Sequence, residues 1–415
     1  MYTMIERYPA PAAAEIFGGQ ARIDRWTRIT TERMREAWED DGSPGEFYAP
    51  SKIEFLSVAT REAKTGHDLV AFLQIYEDSL GGMKVKLAKY LHFGLTSSDI
   101  VDTAHFQALW SHATSMRLYL EQCLFAVNRW EGSAFGSTDR LGRTHGQIAE
   151  PTSWQHQMMV HAAAIQTISN DMTQLINLER SPVKWPGATG RNRLRKSTPH
   201  NAVVSTQVVH RDWQLRWATL YLRLACALEN LALQIRLAAR AEIGEVREGV
   251  ERIGSSAMPH KQNPIQSERV CGLARVARGH FSAIAETTAL WEDRDLTNSA
   301  VERTAVPDLA ATVEYMVREM TSVMYNLEVN QRRMTENLEA HPEAWSSIFQ
   351  GLAQKHFNMG PTEAARFVRK TFNFSAPHGS YSGVTADWFG WEYPLADEWK
   401  AEFYKDVFRI TGIRL

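Results

Sequence analysis

Two serines, a lysine and an asparagine lie close together in IGSSAMPHKQNP (Ile253 to Pro264), a segment with neither helix period nor strand alternation. Three other polar, turn-rich segments share that character: HFGLTSSDIVD (His92 to Asp102), GRTHGQIAEPT (Gly142 to Thr152) and STQVVHRD (Ser205 to Asp212). Together they carry His92, His145, Ser255, Ser256, Lys261, Asn263 and several hydroxyls. Such side chains can donate hydrogen bonds to an anion and move a proton. His145, between Thr144 and Gly146, stands in a stretch of little packing value, as expected of a functional loop. Each segment also has a plain structural reading. Thr96, Ser97, Ser98, Asp99, Thr152, Ser205 and Thr206 are all good helix N-caps.

The elements that must position these segments are long helices. Apolar residues recur at three- and four-residue spacing over about 102–130, 152–178, 206–246, 266–290 and 301–329, with few internal Pro or Gly. Five helices of such length predict an all-α fold around a central bundle. The stretch WATLYLRLACALENLALQIRLAARAEI (Trp217 to Ile243) is apolar around most of its circumference. Surplus apolar surface of that kind is covered either by flanking domains or by further copies of the chain, and a homo-oligomer is expected. Shorter helical patterns, among them 20–38 and 67–80, precede the bundle, and others follow it. The predicted domains are 1–95, a small N-terminal α domain; 96–331, the long-helix bundle; and 332–415, a C-terminal α domain with an irregular aromatic-rich tail.

Composition sets outer limits. A chain of 415 residues, 44% hydrophobic and 23% charged, is ordinary globular protein, and a net charge of −2 leaves no basic excess for nucleic acid. Cys123, Cys226 and Cys271 lack the spacing of a disulfide framework or zinc site and read as small buried apolar residues. The first residues, MYTMIERYPAPAAAEIF, do not follow the basic-then-apolar order of a secretory signal. The longest uncharged stretch, 151–170, is too polar to cross a bilayer. A cytoplasmic protein with neither nucleic-acid nor membrane partner is expected.

GSSAMPHKQNP resembles the GSSxMPxKxNP signature of the fumarase, aspartase and argininosuccinate lyase superfamily, whose members cleave a C–N or C–O bond and release fumarate. Within it the likeness is greatest to the adenylosuccinate lyase family. MIERYPAP, GHDLVAF, HFGLTSSDIVDTA, GRTHGQIAEPTSW, STQVVHRD, GSSAMPHKQNPIQSERV and WEDRDLTNSAVERTAVPD occur in that family's order from residue 4 to about 330, and the likeness fades after Phe372.

The resemblance implies a β-elimination that releases fumarate from adenylosuccinate to give AMP, and from the analogous ribotide SAICAR to give AICAR, in purine nucleotide biosynthesis. It implies Ser255 as general base, its oxyanion stabilised by backbone N–H groups around Gly254 and Ser256 and by Lys261. It implies His145 as general acid to the departing nitrogen, supported by His67. Asp68, Thr96, Ser97, Ser256 and Asn263 fall among the substrate-binding positions. The nucleotide end is expected on Arg7, Tyr8, Gln207, Arg269, Arg294, Ser299 and Arg303, since the planar donor fork of arginine suits phosphate. For Arg269, Arg294 and Arg303 the alternative is ordinary ion pairing on helix surfaces. No metal and no cofactor are implied. A homotetramer, with each active site built from three subunits, is.

Departures from the family pattern are Gly66, where an Arg commonly precedes the His-Asp pair, Gln155, the basic run RNRLRK (191–196), and a tail containing Trp388, Trp391 and Tyr393. They leave open a fumarate-releasing lyase for another succinylated purine or amino compound. A non-catalytic tetrameric scaffold is the rival from a different class.

Overall fold

The computed structural model of the chain describes residues 4–43, 45–50, 52–131, 138–178, 187–191, 204–249, 258, 260–371 and 397–411. Its secondary structure is overwhelmingly helical, as the spacing predicts. In the first part of the chain are α1 (Met4–Arg7), α2 (Pro11–Phe17), α3 (Gly19–Asp40), α4 (Phe55–Thr65), α5 (Asp68–Ser79) and α6 (Lys84–Leu87). Five long helices follow: α7 (Ser97–Asn128), α8 (Trp154–Leu178), α9 (Asp212–Ala238), α10 (Ile265–Glu286) and α11 (Thr297–Asn326). Last come α12 (Gln331–Glu339), α13 (Ser346–Phe357), α14 (Pro361–Thr371) and α15 (Asp397–Thr411).

The expected long helices are present with shifted ends, and the shifts have local causes. Helix α7 starts earlier than its apolar pattern because Thr96 caps it. The Thr96 N–H and Oγ1 both donate to Asp99 Oδ2, at 2.6 and 3.0 Å, a capping arrangement that recruits a polar first turn. Helix α9 stops at Ala238, short of the predicted 246, in a turn that closes at Gly244 with φ +63°.

Two small antiparallel ladders were not expected from the sequence: β1 (Asp139–Thr144) with β2 (Gln147–Ser153), and β3 (Val246–Glu248) with β4 (Leu327–Val329). The first turns GRTHGQIAEPT from a loop into a hairpin. A register shift between Leu141 and Arg143 breaks the two-residue alternation that would have disclosed it.

Contacts gather the chain into two compact units. One comprises Met1–Ala126, Ala163–Leu233 and Ile265–Met324. Part of its core is formed where Ile23, Trp26, Ile29 and Met34 of α3 meet Leu69, Phe72 and Tyr76 of α5 and Ile100 of α7. Steps of three and four residues, 23–26–29 and 26–30–34 through buried Thr30 in α3 and 69–72–76 in α5, put these side chains on one stripe of each helix. In α9, Leu220, Leu224, Leu228, Leu231 and Ile235 are buried by the same arithmetic. Cys123 and Cys271 are buried and Cys226 half-buried, all three as thiols.

The second unit comprises Val127–Ala162, Gln234–Pro264 and Tyr325–Leu415. Its core joins Leu141 of the hairpin to Leu338 of α12, Phe349 and Leu352 of α13, Phe367 of α14 and Phe403 and Val407 of α15. Trp388, Trp391, Tyr393 and residues 192–196 lie outside the described residues. No helix among the described residues is long and apolar enough to cross a membrane.

Candidate active site

Gly66 ends α4 in the left-handed region, φ +67°, its N–H donating to the Glu62 carbonyl at 2.8 Å. That conformation is routine for glycine and costly for a residue with a β-carbon, so the turn supplies a backbone reason for the departure at 66. His67 then caps α5. Its Nδ1 accepts from the Val70 N–H at 3.4 Å, and the ring is about half exposed. Capping through Nδ1 selects the tautomer that carries its proton on Nε2.

The next residue turns inward. Asp68 is buried and meets Arg303 of α11 at 2.6 Å while accepting the Leu69 N–H at 2.8 Å. Burial acts to raise its carboxyl. Arg303, the Leu69 N–H and nearby Arg22 outweigh it and hold the group below the usual carboxylate range. The Arg303 Nε also donates to Ser299 Oγ at 3.2 Å. Three residues expected from two widely separated motifs, Asp68 from one and Ser299 and Arg303 from the other, thus line one cavity of about 120 Å³. Arg22, Arg25 and Trp26 of α3 line the same cavity, as do His105 of α7 and Glu302 of α11, and no sequence motif had singled out the three α3 residues.

Glu302 of the same cavity wall belongs to a salt-bridge network of a different kind. Arg211 is buried between Asp102 of α7 and Glu302 of α11, with contacts of 2.9 Å to Asp102 Oδ1 and 2.7 Å to Glu302 Oε1. Burial opposes its charge, and the two carboxylates overcome that and raise its pKa. Asn298 donates to Glu302 at 2.7 Å and accepts from Arg294 at 2.9 Å, which ties Arg294 into the same cluster. Gln207 is half-buried, its Nε2 donating to the Ala188 carbonyl at 3.3 Å.

The N-terminal arm is fixed to α11. Glu314 accepts the Ala12 and Ala13 N–H groups at 3.1 and 2.8 Å, a carboxylate at the positive end of α2. His112 and Tyr221 extend this contact as a fully buried chain, His112 Nε2 lying 3.1 Å from Glu314 and Nδ1 2.6 Å from the Tyr221 hydroxyl. Tyr8 packs edge-on against Tyr315, ring centres 5.1 Å apart. Arg269 bonds the Tyr315 hydroxyl at 2.8 Å and Glu319 at 2.7 Å, which brings it beside Tyr8 but commits its guanidinium to the ion-pairing arrangement. Arg7, by contrast, is exposed.

The second unit holds His145. The pairing of Thr144 with Gln147 leaves His145 and Gly146 as a two-residue turn, with φ +54° and +75°. Two positive values are those of a type I′ hairpin turn, in which His is an uncommon but tolerated first residue. The imidazole is exposed at the tip. Gly142 makes the hairpin possible, since a β-carbon there would lie 2.1 Å from the Glu150 carbonyl oxygen. The base of the hairpin is held by Arg140, buried on Glu245 at 2.7 Å, and Glu245 also accepts from Asn337 at 2.9 Å.

Lys261 is exposed and Asn263 half-buried just before α10. Ser255 and Ser256 lie outside the described residues. Thr96 is engaged as a helix cap and Ser97 is half-buried at the first position of α7.

Residues 56–279 match a family model described as Lyase. The chain is 33% identical to adenylosuccinate lyase of Thermotoga maritima over 354 residues, which spans 81% of this chain and 80% of that one. It is 32% identical to adenylosuccinate lyase of a Synechocystis strain, with 81% of each covered. Among solved structures it is similar in fold to 3-carboxy-cis,cis-muconate lactonizing enzyme from Pseudomonas putida, with a TM-score of 0.75, 19% identity, and 89% of this chain and 86% of that one covered. A fumarate lyase from Mesorhizobium sp. BNC1 aligns with a TM-score of 0.73 at 21% identity, over 86% and 85% of the two chains.

Proposed function

Because the chain belongs to the adenylosuccinate lyase family, we propose that it releases fumarate from adenylosuccinate to give AMP, and from SAICAR to give AICAR. The observation that carries this reading is the extent of the likeness, which runs over four-fifths of the chain. The cavity walled by Asp68, Ser299 and Arg303 supports it, since a nucleotide needs both a hydrogen-bonding and a cationic surface.

The reaction removes a proton from the carbon beside one carboxylate of the succinyl group. The electron pair moves toward that carboxylate, and the C–N bond then breaks as the nitrogen gains one proton, to leave fumarate and the neutral amine. Ser255 takes the proton as an alkoxide. Backbone N–H groups of the glycine- and serine-rich segment and Lys261 stabilise that alkoxide and the substrate's growing negative charge. His145 delivers a proton to the leaving nitrogen. The imidazole suits the task because its ordinary pKa lies near neutrality. His67, with Nδ1 occupied by the cap of α5, presents Nε2–H to a substrate carboxylate.

The working particle in this reading is a cytoplasmic homotetramer whose sites combine loops of three subunits. Exposed Leu118 and Phe125 on α7, and exposed Met159 and Val160 on α8, support further association, since they are large apolar side chains on two of the five long helices.

The test is direct. Fumarate release from adenylosuccinate and from SAICAR is followed by absorbance. Activity on neither, with activity on another succinyl adduct, transfers the reading to a lyase of altered substrate; a tetramer silent on all of them favours a scaffold. Ser255→Ala and His145→Gln are each expected to lower turnover by roughly 100-fold or more while leaving assembly intact. Mixing the two variants restores part of the activity if sites are shared between chains. No recovery after verified subunit exchange counts against sharing.

A further inference from the structure

We propose that α3 contributes two anion-binding residues, Arg22 and Arg25, to the cavity walled by Asp68, Ser299 and Arg303, and that together they receive the phosphate monoester of the substrate. The identity of the ligand rests on the lyase reading above. The assignment of the two arginines rests on charge, burial and size.

Charge comes first. Each carboxylate on the cavity wall already has its cation: Asp68 has Arg303 at 2.6 Å and Glu302 has Arg211 at 2.7 Å. Arg22 and Arg25 have no ion-pair partner among the described residues, and the Nε of each is buried without a hydrogen-bond acceptor. Arg25 spends one donor on the Ile16 carbonyl at 2.6 Å. Asp68 and Glu62 act on Arg22, and Asp24 on Arg25, only through space, so two half-buried guanidiniums without a directly bonded carboxylate share one surface, and a phosphate monoester brings a charge of about −1.5 to −2 at neutral pH. A single carboxylate would leave one of them unmatched.

Burial makes the imbalance costly. Desolvation lowers the pKa of Arg22, and it lowers that of Arg25, with help from neighbouring Arg28, to about 10. An entering anion reverses the penalty, because a charge-assisted bond in a poorly hydrated pocket is stronger than one in water.

Geometry agrees. Arg22 and Arg25 are three residues apart and so lie on one face of α3. The Arg22 guanidinium rests 5.3 Å from the centre of the Trp26 ring, a contact that orients its fork before a ligand arrives. A cavity of about 120 Å³ is smaller than the roughly 300 Å³ or more that encloses a whole drug-sized ligand. It fits one terminal group, with the remainder of the nucleotide outside.

The experiment separates this assignment from the lyase reading. Inorganic phosphate and AMP are titrated calorimetrically into the assembled wild-type protein, Arg22→Gln and Arg25→Gln. Each variant is expected to bind phosphate and AMP about tenfold or more weakly, with its melting temperature unchanged or slightly raised, and Arg22→Lys is expected to recover part of the loss. In steady state, each Gln variant raises KM for adenylosuccinate with little change in kcat, and leaves KM for the nucleoside lacking the phosphate where it was. Wild type that binds neither phosphate nor AMP overturns the assignment, as do Gln variants that bind both as tightly as wild type, or that lose nucleotide and nucleoside alike. Phosphate binding that depends on Arg22 and Arg25 in a protein that releases no fumarate upholds the assignment and removes the lyase reading.

Discussion

Arg211 and Arg22 are both arginines drawn out of bulk water within the same unit, yet their surroundings are opposite. Arg211 lies between two carboxylates that use its whole fork, and also donates to the Val209 carbonyl at 2.8 Å. Arg22 rests on an indole ring with its Nε unbonded. In the first case the chain supplies the counter-charge itself, and the cluster fastens α7, the approach to α9 and α11 together. In the second the nearest carboxylate, Asp68, is already bonded to Arg303 and acts on Arg22 only through space. A buried cation that is fully answered is a structural part, and one that is not answered is an opening for a ligand.

The largest effect that can break this distinction is on stability. Arg211→Ala leaves Asp102 and Glu302 buried without the cation bonded to both, a change expected to cost about 3–5 kcal/mol. Replacing all three, as Arg211→Met with Asp102→Asn and Glu302→Gln, is expected to restore much of that loss, since no net charge then remains buried. Arg22→Gln removes a charge that no carboxylate of the chain bonds directly and is expected to stay within about 0.5 kcal/mol of wild type. Urea denaturation at one fixed protomer concentration makes the comparison, because association is linked to stability. A loss at Arg22 as large as that at Arg211 would place both in the same class.

A smaller, pH-dependent effect concerns Asp68, which belongs to the cavity and yet is paired. Burial tends to raise its carboxyl, but Arg303, the Leu69 N–H and Arg22 lower it further than burial raises it. A carboxyl depressed in the folded state adds stability that is complete above its unfolded value of about 3.9 and disappears as pH falls through the folded value. The stability gap between wild type and Asp68→Asn is therefore expected to be constant from pH 7 to pH 5 and to close below about pH 4. A gap that persists unchanged into stronger acid would mean that the carboxylate charge is not what Arg303 stabilises.

The same contrast explains what could be read in the residue order. The long helices were legible because each buries a stripe at its own period, but the start of α7 was not fixed, because Thr96, Ser97, Ser98 and Asp99 are all capping residue types and the apolar pattern begins only near 102. The hairpin that carries His145 was not legible. Its bulge at Leu141 to Arg143 and its dependence on Gly142 remove the alternation by which a strand is recognised. In the candidate site, Asp68, Ser299 and Arg303 were named through resemblance, while periodicity alone could not bring residues so far apart in the chain to one cavity. Arg22 and Arg25 were invisible for a physical reason. Arginines spaced along an amphipathic helix look like its solvated face until the neighbouring helices cover them. Arg211 lies within STQVVHRD but carried no role there, because only the fold brings it between Asp102 and Glu302.

Gly66 offers the smallest test and bears on the same cavity wall. If position 66 departs from the family pattern because the turn between α4 and α5 needs a left-handed residue, the cost of any substitution there comes from the backbone. A β-carbon at Gly66 would meet nothing within 4 Å, so crowding adds nothing. Gly66→Ala is then expected to lose about 1 kcal/mol in urea denaturation, and Gly66→Arg a similar amount. Because the two variants share the backbone cost, any difference in their phosphate affinity reports what a cation beside His67 and Asp68 adds. No loss of stability in Gly66→Ala would mean that the turn relaxes around a β-carbon, and the missing arginine would then need a chemical explanation in place of a conformational one.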